Sequence, residues 1–173
     1  RLDTNETKLI AVESRENDLR FPATLIRQGV TTKPDFDVTE MVLLFPRNLT
    51  TEVAYITAQM PHSWKAGTTI KPHIHYIQEF NLQPVFKIDY RWYNFGDAVP
   101  STWTTYTMNT NVATYVSGSL SQIVTGTGID GTGKTESSIL QMKLYRDDNV
   151  YTGDCKVIEF DIHYIVEKFG KDI

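Results

Sequence analysis

The side chains of this chain best suited to chemistry are a few histidines and a carboxylate. His73 and His75 stand two apart, so on a strand both imidazoles leave the same face. Glu79 lies four residues beyond His75 and keeps that parity. Two imidazoles and a carboxylate are a donor set suited to Zn, Mn or Fe. His163 faces away from the apolar side of its own strand and could add a third imidazole. The plainer reading is hydrogen bonding to neighbouring strands or across a subunit contact. Pro72 precedes the pair, so this strand lies at a sheet edge or begins there. The expectation is structural: no catalytic, cofactor or metal site. His73, His75, Glu79 and His163 are the candidates should a metal bind.

A second stretch, Gly128-Ile129-Asp130-Gly131-Thr132-Gly133-Lys134-Thr135, fits the P-loop pattern in full. A working P-loop cradles phosphates at the N-terminus of a following helix. Here the following residues, Ser138 to Leu144, alternate as a strand. Without the helix the mechanism fails, so a Gly-rich loop between two strands is expected, and no nucleotide. No serine sits in a Gly-x-Ser-x-Gly elbow. Cys155, beside Asp154 and Lys156 at the start of a strand, reads as a structural thiol. The chain is therefore not expected to be an enzyme.

The elements that must carry these groups are strands. Phe86, Ile88, Tyr90 and Trp92 form one face of Val85–Tyr93; Lys87, Asp89 and Arg91 form the other. Leu140, Met142 and Leu144 alternate with polar residues, and Ile158, Phe160, Ile162 and Tyr164 alternate with Glu159, Asp161 and His163. Val53 to Met60, Glu40 to Phe45, Thr69 to Ile77, Trp103 to Met108 and Tyr115 to Val124 complete the set. Turn residues such as Pro46-Arg47-Asn48 and Asn94-Phe95-Gly96-Asp97 separate them. About eight short strands, with no amphipathic helix, predict an all-β antiparallel β-sandwich, jelly-roll-like, in a single domain. Nine Tyr, eight Phe and three Trp in 173 residues suit such sheets. Residues 1–18 are polar and read as an N-terminal arm, with the β-sandwich domain spanning 19–173.

Composition narrows the partners. A net charge of -4 and no basic stripe argue against nucleic acid. No apolar run reaches the roughly 20 residues of a membrane span. One cysteine excludes an intrachain disulfide.

Two resemblances add to this. The His73-Ile74-His75-x3-Glu79 stretch resembles the first cupin motif over about a dozen residues; Phe86 stands where a cupin has Gly, and the second motif is missing. A broader likeness covers most of Asp18 to Gly170. It rests on Asp18-Leu19-Arg20-Phe21-Pro22-Ala23, on Gln59-Met60-Pro61-His62-Ser63-Trp64-Lys65-Ala66-Gly67-Thr68 running on to Pro72-His73-Ile74-His75-Tyr76, and on Gly131 to Thr135 through Leu144-Tyr145-Arg146-Asp147 to Glu159-Phe160-Asp161-Ile162-His163-Tyr164. These blocks resemble an uncharacterised family of tailed-bacteriophage and prophage virion proteins. The resemblance implies a non-enzymatic structural protein of the virion: a capsid decoration, head-fibre or tail-associated subunit. Its partners would be other virion proteins and copies of itself, as a homotrimer. The alternatives are a cupin-like metal-dependent enzyme or a carbohydrate-binding jelly roll stacking sugars on Trp64, Trp92 or Trp103.

Overall fold

A computed structural model describes residues 15–47, 49–108, 116–124, 126–148, 151 and 153–167. Among these described residues eleven strands follow in chain order: β1 (Arg15–Pro22), β2 (Arg27–Gln28), β3 (Asp35–Asp37), β4 (Val42–Phe45), β5 (Ala54–Gln59), β6 (Lys71–Gln78), β7 (Phe86–Tyr93), β8 (Thr104–Met108), β9 (Ser119–Val124), β10 (Ile139–Arg146) and β11 (Cys155–Val166). The period-two expectations for β4 through β11 are met to within a few residues. β1, β2 and β3 were not anticipated. Two are very short, and β1 is polar, so neither length nor periodicity marks them.

The strands form two antiparallel sheets. One runs β3-β4-β11-β6-β9, with β1 also paired to β11; the other runs β2-β5-β10-β7-β8. From β4 onward, successive strands switch between the orders β4-β11-β6-β9 and β5-β10-β7-β8, except that β7 and β8 pair within one sheet. Two four-stranded sheets wound this way are a jelly roll, so the protein is an all-β antiparallel sandwich of that kind. β1, β2 and β3 are additions on one side. The sandwich includes residues ahead of the expected 19: Arg15 to Asp18, read as part of an arm, pair with Val166 to His163 of β11. Residues 1–14 lie outside the described residues.

Alternation builds the core. Ile74, Tyr76, Ile123, Phe160 and Ile162 from the first sheet meet Ile56, Phe86, Ile88, Leu140, Met142 and Leu144 from the second, all buried. Burying one such side chain stabilises the fold by roughly 1.5–3 kcal/mol. One irregularity sets the facing of β11. The β11–β6 register shifts between Val157 and Glu159. Before the shift the odd positions Cys155 and Val157 point inward; after it the even positions Phe160, Ile162 and Tyr164 do. An extra residue in a strand reverses the facing of everything beyond it. Ile158, expected on the apolar face, sits at this bulge and is only half-buried.

Candidate functional site

The bulge turns Glu159, Asp161 and His163 to the outer face of the first sheet. There β6 lies on one side of β11 and β1 on the other. Asp161 is registered opposite His73, Glu159 opposite His75 and Asp18 opposite His163. β9 adds Gln122 opposite His75. Four strands thus bring three imidazoles, three carboxylates and an amide to one patch.

The donor atoms converge. His73 Nδ1 lies 2.9 Å from His163 Nε2, 3.2 Å from His75 Nε2 and 3.1 Å from Asp161 Oδ1. His163 Nε2 is 3.2 Å from Asp161 Oδ1 and 3.4 Å from Asp18 Oδ1. His75 Nε2 is 3.4 Å from Asp161 Oδ2. The rings of His75 and His163 both meet that of His73 nearly edge-on, at centroid distances of 4.4 and 4.6 Å. On its far side His73 Nε2 donates to Gln122 Oε1 at 3.1 Å, since an amide oxygen can only accept. Although on an outer face, His73 and Asp161 are 4% and 2% exposed. Burial, then the neighbouring His73, pushes the His75 imidazole below its ordinary pKa. At the margin Arg20 forks onto Glu159, with contacts of 2.5 and 2.6 Å.

Three of the four sequence candidates, His73, His75 and His163, therefore come together. Glu79 does not join them. Its carboxylate binds Lys156 Nζ at 2.8 Å, and β6 ends at Gln78, before the parity argument reaches it. The carboxylate of the cluster is Asp161, which sequence reasoning missed. The signal was present: Asp161-x-His163 on β11 mirrors His73-x-His75 on β6. A cupin-like set of His73, His75 and Glu79 is not formed, and the cluster lies outside the sandwich.

The other motifs resolve into structure. β10, not a helix, follows the Gly128–Thr135 loop. Lys134 Nζ donates to the carbonyl of Trp92 at 2.9 Å, and Asp130 Oδ1 accepts from the backbone N–H of Thr132. A Cβ at Gly131 would stand 2.3 Å from the Thr68 carbonyl oxygen, so glycine is there for close packing. Cys155 is fully buried, and burial pushes its thiol far above the ordinary range. Of the three tryptophans, Trp64 and Trp92 are core residues in mutual contact and cannot stack a sugar. Trp103 carries Arg91 and Lys143 over its ring, in a shallow hollow with Tyr55 and Gln141.

No family model matches the chain, and no curated protein does. Among solved structures it is similar to the CBM36-1 domain of a multidomain xylanase from the hindgut metagenome of Trinervitermes trinervoides. The TM-score is 0.48 at 12% identity, over 91% of this chain and 100% of that one. A likeness that distant carries no functional argument.

Proposed function

We propose that this chain is a non-enzymatic structural protein of a bacteriophage virion, acting through contacts with copies of itself and other virion proteins. The observation that carries the reading is the exposed apolar side chains of Leu25, Val30, Val38 and Met41, in the segment that adds β2 and β3 to the sandwich. Val30 is 90% exposed and Leu25 78%. β2 and β3 are the terminal strands of their sheets, two and three residues long. Exposed apolar side chains in a segment that carries such edge strands suit a subunit contact better than a solvent face. The ordered blocks that resemble phage virion proteins support the same reading. So does the jelly roll itself, which offers rigid surfaces to symmetric neighbours.

Light scattering at micromolar concentration should return an oligomer, a trimer by this reading. Leu25→Glu with Val30→Glu should lower the mass while leaving the melting temperature nearly unchanged. Mass spectrometry of purified particles should find the chain. A monomer in solution together with absence from particles would overturn the proposal.

A further inference from the structure

We propose that His73 Nδ1, His75 Nε2, His163 Nε2 and the Asp161 carboxylate bind one divalent first-row transition ion, zinc foremost, on the outer face of the first sheet. This site is independent of the assembly reading. The argument begins with lone pairs. His73 Nε2 carries the ring proton given to Gln122, so in the neutral ring Nδ1 is an acceptor. It faces a carboxylate oxygen and two further imidazole nitrogens, all at 2.9–3.2 Å. His75 Nε2 and His163 Nε2 each hold either a proton or a free lone pair, and with the lone pairs free these atoms face one another as ligands. Protons on His75 Nε2 and His163 Nε2 would join these atoms in pairs. One ion among them would take the place of both protons.

The spacing fits an ion. Bonds of about 2.1 Å put adjacent ligand atoms about 3.0 Å apart in an octahedron and about 3.4 Å apart in a tetrahedron. The contacts of His73 Nδ1 with its three neighbours, and of Asp161 with His75 and His163, run from 2.9 to 3.4 Å. His73, His75 and Asp161 form one group of potential ligands; Asp18, Asp161 and His163 form a second that shares the Asp161 carboxylate. The chemistry of the set selects the metal. Imidazole-rich sites suit zinc, iron, nickel and copper, whereas calcium and magnesium take oxygen. The support is also built. The His73–Gln122 hydrogen bond fixes the tautomer that leaves Nδ1 free to ligate. Ligands from β6 and β11 would tie the two strands together, and Asp18 would bring in β1.

The test uses the whole chain, stripped with a chelator and dialysed. Calorimetry should show one equivalent of Zn²⁺ bound, and Co²⁺ should give a visible absorption band. Zinc near a hundred times its Kd should raise the melting temperature by about 5–10 °C. X-ray absorption of the parent's zinc complex should show histidine scattering. His163→Ala, at the half-buried margin, should weaken binding at least about tenfold, as loss of a ligand or its support does. His62→Ala, whose ring binds Ser137 away from the cluster, should leave it unchanged. If the stripped parent keeps its sheet spectrum yet takes up neither ion stoichiometrically, the cluster is held by a shared proton and the proposal fails. It also fails if binding survives His163→Ala with His73→Ala, or if the zinc complex shows no histidine.

Discussion

Two polar knots lie on opposite logic in this sandwich. At the ends of β10 and β11, Arg146 is 0% exposed and every one of its N–H groups has an acceptor. Nε and Nη2 fork onto Asp148 at 2.7 and 3.0 Å, Nη1 reaches the carbonyls of Phe45 and Gly153, and Nη2 also meets the carbonyl of Tyr151. Asp148 in turn accepts from the backbone N–H groups of Val85 and Tyr151. Donors and acceptors are matched, and the charges cancel within the knot. Around His73 the donors are not fixed: each inward imidazole nitrogen can hold a proton or a metal ion. A buried guanidinium–carboxylate knot is complete with protein atoms alone. A knot of imidazoles and carboxylate can exchange its protons for a cation from outside. Similar burial thus marks a structural clasp in one place and a binding site in the other.

The sharpest way to break this comparison is to remove the guanidinium. Arg146→Met leaves Asp148 buried without its partner and strips three carbonyls of a donor. Denaturant unfolding should show a loss of about 3–5 kcal/mol, more than any other substitution at either knot. A loss below about 1 kcal/mol would mean the knot is not a clasp.

The metal-free cluster should matter less. In chelator-treated protein, His73→Ala with His75→Ala should cost about 1–3 kcal/mol, since hydrogen-bonding partners are lost without stranding a full ion pair. With zinc present the gap between parent and variant should widen, because only the parent gains from the ion. An equal gap in both conditions would align the two knots and remove the contrast.

Acid separates them further. Burial works to raise the Asp148 pKa, but Arg146 and the backbone N–H groups of Val85 and Tyr151 outweigh it and hold the carboxyl below the ordinary value. The sign follows: a depressed carboxyl contributes stability that is whole above its unfolded pKa, about 3.9, and is lost as pH falls through the folded value. Carbon-detected titration should put the Asp148 midpoint below about 3.9, with this contribution unchanged between pH 7 and pH 5. A midpoint above that would show the ion pair to be weaker than its geometry.

The smallest effect belongs to Glu79. It pairs with Lys156 near the surface, so Glu79→Gln should change stability by less than about 1 kcal/mol and leave zinc uptake untouched. Loss of zinc uptake would restore it as a ligand.

The strands were legible because alternation is a local property. Phe86, Ile88 and Trp92 announce their face from one segment, and no partner is needed to read it. His73 and His75 were legible as a pair for the same reason. Asp161 was visible as a residue but not as a ligand. Its facing depends on the bulge beside Ile158, and nothing in Val157-Ile158-Glu159 marks a bulge by type. β1 was hidden because Arg15 to Asp18 are polar, and what orders them is the edge of β11, a hundred and more residues away in the chain.

By itself, then, the amino-acid sequence determined the all-β character, most of the sandwich strands, the absence of a helix after the Gly128–Thr135 loop, and the shared parity of two histidines. Each follows from dihedral preference and side-chain alternation within a few residues. Only the tertiary structure decided that Asp161, His163 and Asp18 stand beside His73 and His75, that Glu79 does not, and that Trp64 is core rather than surface. Those outcomes depend on register between distant strands and on one extra residue in β11. The free energy that selects a register comes from burying whole faces against one another, and it is written in no single segment.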